Sequence, residues 1–445
     1  MVIPTPRLLL LALFGIIPVV LSGSYVVGLA VAIAWGALCA VLALVDVSLL
    51  PSNALLHWER DHEPKLSLAT WNRIELRLRN RSNRALTLRV RDAVPDTMRP
   101  AGDSGQGVCL PGATWSLIYQ VLPARRGDYR FGPPAVRYLG PLGLAWRQRA
   151  PRSDGEVKVY PNLMAVRSYE SLLRRGRLEE IGLHASRRWG PGTEFERLRE
   201  YTHDDEFRRI NWPATARHHK PIAVDYQVER SQSVLLVLDA GRLMSAAILP
   251  GSEVPEVALS RLDYAVNASL LLAFVAQLAG DRVGLLSFAD RVTRYLPPRA
   301  GRSGFLALTD ALYNLAAESI ESDFASGLGY LAARNPRRSL AVVFTDLAES
   351  EAMAPLVSHV VHLARRHLVL VVTLRDPALQ RLALLPTDRS EHVYERAVAR
   401  RTLDDRQQTL LTLRRQGVLT LDVSANALSA SLINRYLEIK ARGGL

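Results

Sequence analysis

Two apolar stretches open the chain. Residues 8–21 are apolar apart from the breakers Gly15 and Pro18, Ser22-Gly23-Ser24 interrupts, and residues 25–45 are apolar again. The second stretch meets the ~20 residues needed to cross a ~30 Å hydrocarbon core. Together the two predict an N-terminal transmembrane helical hairpin over residues 1–50. A signal peptide with Arg7 as its charged flank is the alternative for the first stretch. Either way, with Arg7 inside, the chain beyond Val45 lies in the cytoplasm. The arginines at 73, 77, 79, 81, 84, 89 and 91 reinforce that orientation.

The next region has a period of two. Ile74, Leu76 and Leu78 alternate with Glu75, Arg77 and Arg79, and Leu86, Leu88 and Val90 with Thr87, Arg89 and Arg91. The two runs flank a turn at residues 80–84 and predict a hairpin with one buried and one arginine-rich face. That charged face is solvated or meets anionic head groups. Further short strands are expected at residues 115–122, 129–131, 135–139 and 156–160. Pro and Gly clusters divide them, so residues 51–161 read as a small β-sandwich. The Gly-Pro-Leu-Gly turn at 140–143 calls for structural glycines.

The pattern then becomes continuous apolar runs separated by helical stretches. Strands are expected at 234–238, 282–288, 340–344, 368–373 and 418–423, and a buried helix at 262–278. Runs this apolar imply a mostly parallel sheet covered on both faces over residues 233–445, a doubly wound α/β fold. Asp239 and Asp346 each come directly after such a run, which places both in the crevice where strand order reverses.

The formal net charge of +13 fits a cytoplasmic membrane protein better than a nucleic-acid binder, because no reader motif accompanies the basic residues. The two cysteines, Cys39 and Cys109, give no disulfide framework and suit a reducing compartment.

Between the sandwich and the α/β region, residues 162–232 interleave Arg, Glu and Asp with single aromatic residues. Glu194-Phe195-Glu196-Arg197-Leu198-Arg199-Glu200-Tyr201 is followed by Asp204-Asp205, then Arg208-Arg209-Ile210-Asn211-Trp212, then Thr215-Ala216-Arg217. In this order the motifs resemble the signature of the DUF58 family of bacterial membrane proteins. Pro123 to Pro133, Gly140 to Leu144, Val159-Tyr160-Pro161, Leu238 to Met244 and Thr345-Asp346-Leu347 resemble the same family. The resemblance implies a von Willebrand A-like domain, packed against the signature segment. It also implies a bacterial inner-membrane location and a protein partner, a MoxR-type AAA+ ATPase.

The resemblance further implies a metal-ion-dependent adhesion site, whose hard oxygen ligands suit Mg²⁺. Here Asp239, Ser322 and Asp346 match ligand positions, but Gly241 and Leu243 stand where the site has serines. A degenerate site whose aspartates accept backbone hydrogen bonds is expected, with Arg242 near enough to offset charge. The signature residues Glu194, Arg199, Glu200, Tyr201, Asp204, Asp205, Arg208, Trp212 and Arg217 read as ion-paired or packed structure. His203-Asp204-Asp205-Glu206 diverges too much in direction to hold one ion. Trp189 and Trp212 are expected to pack rather than to form a binding platform. No phosphate loop, nucleophile elbow or zinc spacing occurs. These readings lead to a non-enzymatic membrane-anchored scaffold needing no cofactor. The alternatives are a metal-dependent hydrolase using Asp204, Asp205, Asp239 and Asp346, and a regulator binding anionic lipid.

Overall fold

The computed structural model describes residues 1–17, 24–151, 155–174, 194–202, 207, 210–218, 220–227, 232–248, 257–347, 353–386 and 390–442. Two compact units divide between Tyr160 and Pro161. The first fifty residues group with the β-rich region, and the signature segment groups with the α/β region.

In the first unit, Tyr25–Ser48 is a helix of 24 residues, and among the described residues it alone is long and apolar enough to cross a membrane. The helix before it, Pro6–Phe14, has nine residues, roughly half a bilayer core at ~1.5 Å per residue. The described residues thus hold one candidate span, and residues 18–23 of the first apolar stretch lie outside them. The shorter helix ends at Gly15, where a Cβ would fall 2.2 Å from the Trp35 ring. Trp35 also donates its indole N–H to the Leu11 carbonyl at 2.9 Å.

Two sheets share one core in this unit. Leu56–His62, Asn72–Asn80, Thr114–Pro123 and Met98–Ala101 form the first, joined antiparallel in that order. Gly127–Leu139 centres the second, paired with Leu86–Ala93, Ala145–Arg149 and Gly155–Tyr160. The hairpin expected across residues 80–84 does not form, because Asn72–Asn80 and Leu86–Ala93 lie in different sheets. Each run has one apolar face, and Leu76 and Leu78 meet Leu86, Leu88 and Val90 in a single core. Facing sheets bury both stripes at once, which a hairpin would leave side by side on one surface. Buried Asn80 fixes the crossing, donating to the carbonyls of Arg84, Cys109 and Leu110 and accepting from Ser82.

The second unit is built on a six-stranded sheet. Its strands in chain order are β1 (Ser233–Asp239), β2 (Arg282–Phe288), β3 (Val292–Arg299), β4 (Leu340–Phe344), β5 (Leu368–Arg375) and β6 (Leu419–Ser424). The spatial order is β3-β2-β1-β4-β5-β6, parallel except for the antiparallel edge strand β3. Alternate residues of β1 enter two separate apolar layers. Leu236 and Leu238 pack with the helices Arg261–Leu278, Gly301–Tyr313 and Leu428–Ala441. Leu235 and Val237 pack with Phe324–Arg334, Ala354–Ala364 and the inner side of Ser390–Arg415. Burial on both faces explains why these strands read as unbroken apolar runs. Strand order reverses between β1 and β4, and the crevice opens at their carboxyl ends.

Candidate functional site in the crevice between β1 and β4

Asp239, the last residue of β1, is 1% exposed. Its Oδ1 accepts the Gly241 amide at 2.9 Å and the Ser322 hydroxyl at 2.5 Å, and its Oδ2 accepts the Thr345 hydroxyl at 2.6 Å. Burial raises its pKa above the ordinary 3.8. The three hydrogen bonds pull the other way without cancelling that effect, and Asp346 adds to the rise. Gly241 makes this geometry possible. A Cβ there would sit 2.0 Å from the Ser322 hydroxyl and 3.0 Å from the Ile320 carbonyl. Arg242 N–H donates to that same carbonyl and Glu318 N–H to Ala240. A serine at 241 cannot coexist with this close loop approach.

Asp346, 4% exposed and two residues beyond β4, is neutralised from elsewhere. Arg261 Nη1 donates to its Oδ2 and Arg406 Nη1 to its Oδ1, the latter at 2.8 Å. Each arginine then reaches a second carboxylate. Arg261 Nη2 meets Asp376 at 3.0 Å, and Arg406 Nη2 meets Asp422 and the Leu374 carbonyl, both at 2.8 Å. Arg375 closes the series on Asp422 at 3.1 Å. The result is an alternating ladder: Asp376, Arg261, Asp346, Arg406, Asp422, Arg375. Burial pushes Asp422 up, but the charge and hydrogen bonds of Arg406 outweigh it and hold this carboxyl below its usual value.

The expected positive neighbour, Arg242, is exposed and pairs with Glu321 at 3.5 Å; the arginines that balance the crevice are Arg261 and Arg406. Sequence reasoning passed over both. One signal existed for Arg261: it opens a helix capped by Ser260 and Asp263, where the helix dipole disfavours a cation. Arg406 lies on a charged helix among five other arginines, and nothing local sets it apart.

The residues present do not fit the Mg²⁺ site that the resemblance implies. Gly241 and Leu243 offer no oxygen, the Ser322 hydroxyl is turned to Asp239, and both Asp346 oxygens hold guanidinium groups. Among the described residues no cluster of three or more metal-ligating side chains occurs.

The signature segment forms its own small assembly. Glu194–Glu200 pairs antiparallel with Ile222–Gln227. Asn211 caps the helix Trp212–His218 by accepting the Ala214 amide at 3.0 Å, and Thr215 accepts the Ile222 amide at 3.0 Å. The Tyr201 amide donates to Pro221. Glu200 pairs with Lys220 at the surface at 3.0 Å, and Arg217 is exposed. Trp212 departs from its expected packing: it is 58% exposed and edge-on to Phe207, itself 68% exposed. Trp189, His203, Asp204, Asp205, Glu206 and Arg208 lie outside the described residues, as do the side chains of Glu194 and Arg199.

Residues 197–394 match the family described as "Protein of unknown function DUF58". The uncharacterized protein Rv1480 of Mycobacterium tuberculosis and the uncharacterized protein Mb1516 of Mycobacterium bovis are each 30% identical over 191 residues. That is 42% of this chain, and the chain spans about half (56%) of the length of these curated relatives. The conserved hypothetical protein BatB from Bacteroides thetaiotaomicron is similar at 14% identity and a TM-score of 0.30, covering 48% of this chain and 100% of that one.

Proposed function

We propose that the chain is a membrane-anchored, non-enzymatic scaffold whose α/β unit is von Willebrand A-like and engages a protein partner. The observation that carries this reading is the saturation of the crevice. One amide and two hydroxyls occupy Asp239, and two guanidinium groups occupy Asp346. Carboxylates held in this way define a shape and a charge pattern, and neither is poised as a base or nucleophile. The parallel sheet with its reversal between β1 and β4 supports the doubly wound, A-like assignment. The apolar helix Tyr25–Ser48 supplies the anchor, and the arginines after it favour the cytoplasmic side of a bacterial inner membrane. The partner suggested by the family resemblance is a MoxR-type AAA+ ATPase, acting with the scaffold in assembly or maturation of a protein complex.

The test is affinity purification of the tagged full chain from detergent-solubilised membranes. An AAA+ ATPase should co-purify with the wild type and fall away with Asp239→Ala, provided that variant keeps its circular dichroism. Divalent-metal-dependent hydrolysis lost in Asp346→Asn would replace this reading with the hydrolase alternative.

A further inference from the structure

The charge ladder borders a cavity of about 650 Å³ at the carboxyl ends of β4, β5 and β6, within the range of small-ligand sites. The helix Ser390–Arg415 forms one wall. Arg406, Leu410 and Arg414 recur on it at every fourth residue, so one face of the helix lines the cavity.

Four guanidinium groups and three carboxylates line this space. Arg261 and Arg406 are committed, each bridging two aspartates. Arg375 is about half exposed and reaches Asp422. Arg414 gives its Nε to the Thr420 hydroxyl at 2.6 Å, and no ion pair joins it to a carboxylate among the described residues. One positive charge is therefore left over, on the exposed Arg414 of the helix wall. The remaining lining includes Leu379, Leu403 and Leu411, so an occupant must also present apolar surface. Three aspartates at the same wall oppose a dianion such as phosphate, whereas a single carboxylate matches the single excess charge.

We propose that this cavity binds a monoanionic carboxylate carried on an apolar body, with Arg414 as the anion contact and the leucines as the apolar floor. The carboxylate can come from a free organic acid or from an acidic side chain of a protein segment. The inference goes beyond the scaffold reading and does not require the ATPase partner.

Titration calorimetry on the full chain in detergent micelles, with hexanoate as the probe, tests it. Saturable binding is expected, weakened about tenfold or more by Arg414→Gln, as for loss of a charge-assisted hydrogen bond. Arg415→Gln removes the same charge from the neighbouring position and should leave affinity unchanged. Hexan-1-ol, which lacks the charge, should bind far more weakly, and inorganic phosphate should not compete. A blocked peptide containing Leu-Glu-Leu that displaces hexanoate assigns the acid to a protein segment; failure to displace it assigns a small organic acid. Hexanoate binding without ATPase capture supports the cavity while the scaffold reading fails. The proposal is overturned if hexanol binds as well as hexanoate, if hexanoate does not bind, or if Arg414→Gln changes nothing.

Discussion

Both units bury a carboxylate, and they stabilise it by opposite means. In the first unit Asp46 lies in the last turn of the apolar helix Tyr25–Ser48 and is fully buried. A carboxylate there opposes the helix dipole. The turn at residues 140–145 wraps around it, and the amides of Leu142, Leu144 and Ala145 donate to it at 2.6, 2.8 and 3.1 Å. In the second unit Asp346 is held by guanidinium groups 85 and 60 residues away in sequence. Backbone amides from one tight turn fix a position; side chains recruited from two helices fix the relation between those helices and the sheet. Asp46 thus ties the apolar helix to the two sheets of its own unit, and Asp346 ties the crevice together.

The largest effect should come from breaking the second arrangement. Arg406→Met leaves Asp346 with one cation and Asp422 with only the half-exposed Arg375. Removing one partner of a buried pair costs about 3–5 kcal/mol. Denaturant unfolding of the full chain in micelles should show a loss of that size. A loss under about 1 kcal/mol, the range of exposed pairs, would mean the ladder is loosely held. Asp46→Ala should cost somewhat less, about 2–3 kcal/mol, because it leaves three amides without an acceptor but no unpaired charge. Gly140→Ala should act in the same direction, since its Cβ would fall 2.2 Å from the Asp46 carboxyl carbon. Protease accessibility of the 140–145 turn measures both.

These two sites also mark what the sequence discloses. The Gly-Pro-Leu-Gly turn is recognisable as structural, although the need at Gly140 is space for Asp46, and only Gly143 has a positive φ, +73°. Strands β2 and β4 occupy the residues their apolar runs predict, and β5 runs two residues further, to Arg375. Continuous burial on both faces makes such strands legible. The alternation around residues 80–84 misleads because it reports which side of a strand is buried, not which strand it pairs with. Asp239 and Asp346 stand out because each ends an apolar run. Their partners do not, since charge pairing between distant helices leaves no local period.

Within the crevice the two kinds of neighbour should give opposite pH dependence. Asp239 has a raised pKa, so the folded state holds its proton more tightly than the unfolded chain. Relative to Asp239→Asn, the wild type should lose stability as pH rises above about 3.8, through the folded-state value. Asp422 has a lowered pKa. Relative to Asp422→Asn, the wild type should gain stability as pH rises towards about 3.8 and keep it above. Thermal midpoints of the three proteins across acid pH read both signs, and parallel curves would remove the contrast. At neutral pH, Asp239→Ala should cost about 1–2 kcal/mol, since two of its three donors are hydroxyls that can turn to other acceptors.

The smallest expected effect is that of metal. A Mg²⁺ ion needs near-octahedral oxygen and sheds its waters reluctantly. To bind at Asp239 it would have to displace the Ser322 and Thr345 hydroxyls from the carboxylate. To bind at Asp346 it would have to displace Arg261 or Arg406, leaving a buried guanidinium without its counter-charge. No serine at 241 or 243 offers a replacement ligand. Titration of Mg²⁺ into the full chain should therefore show no saturable heat, and EDTA should leave both the thermal midpoint and partner capture unchanged. Saturable binding in the micromolar range, abolished by both Asp239→Ala and Asp346→Ala, would mean that the arginines yield to the ion. The ladder would then be one of two states of the crevice.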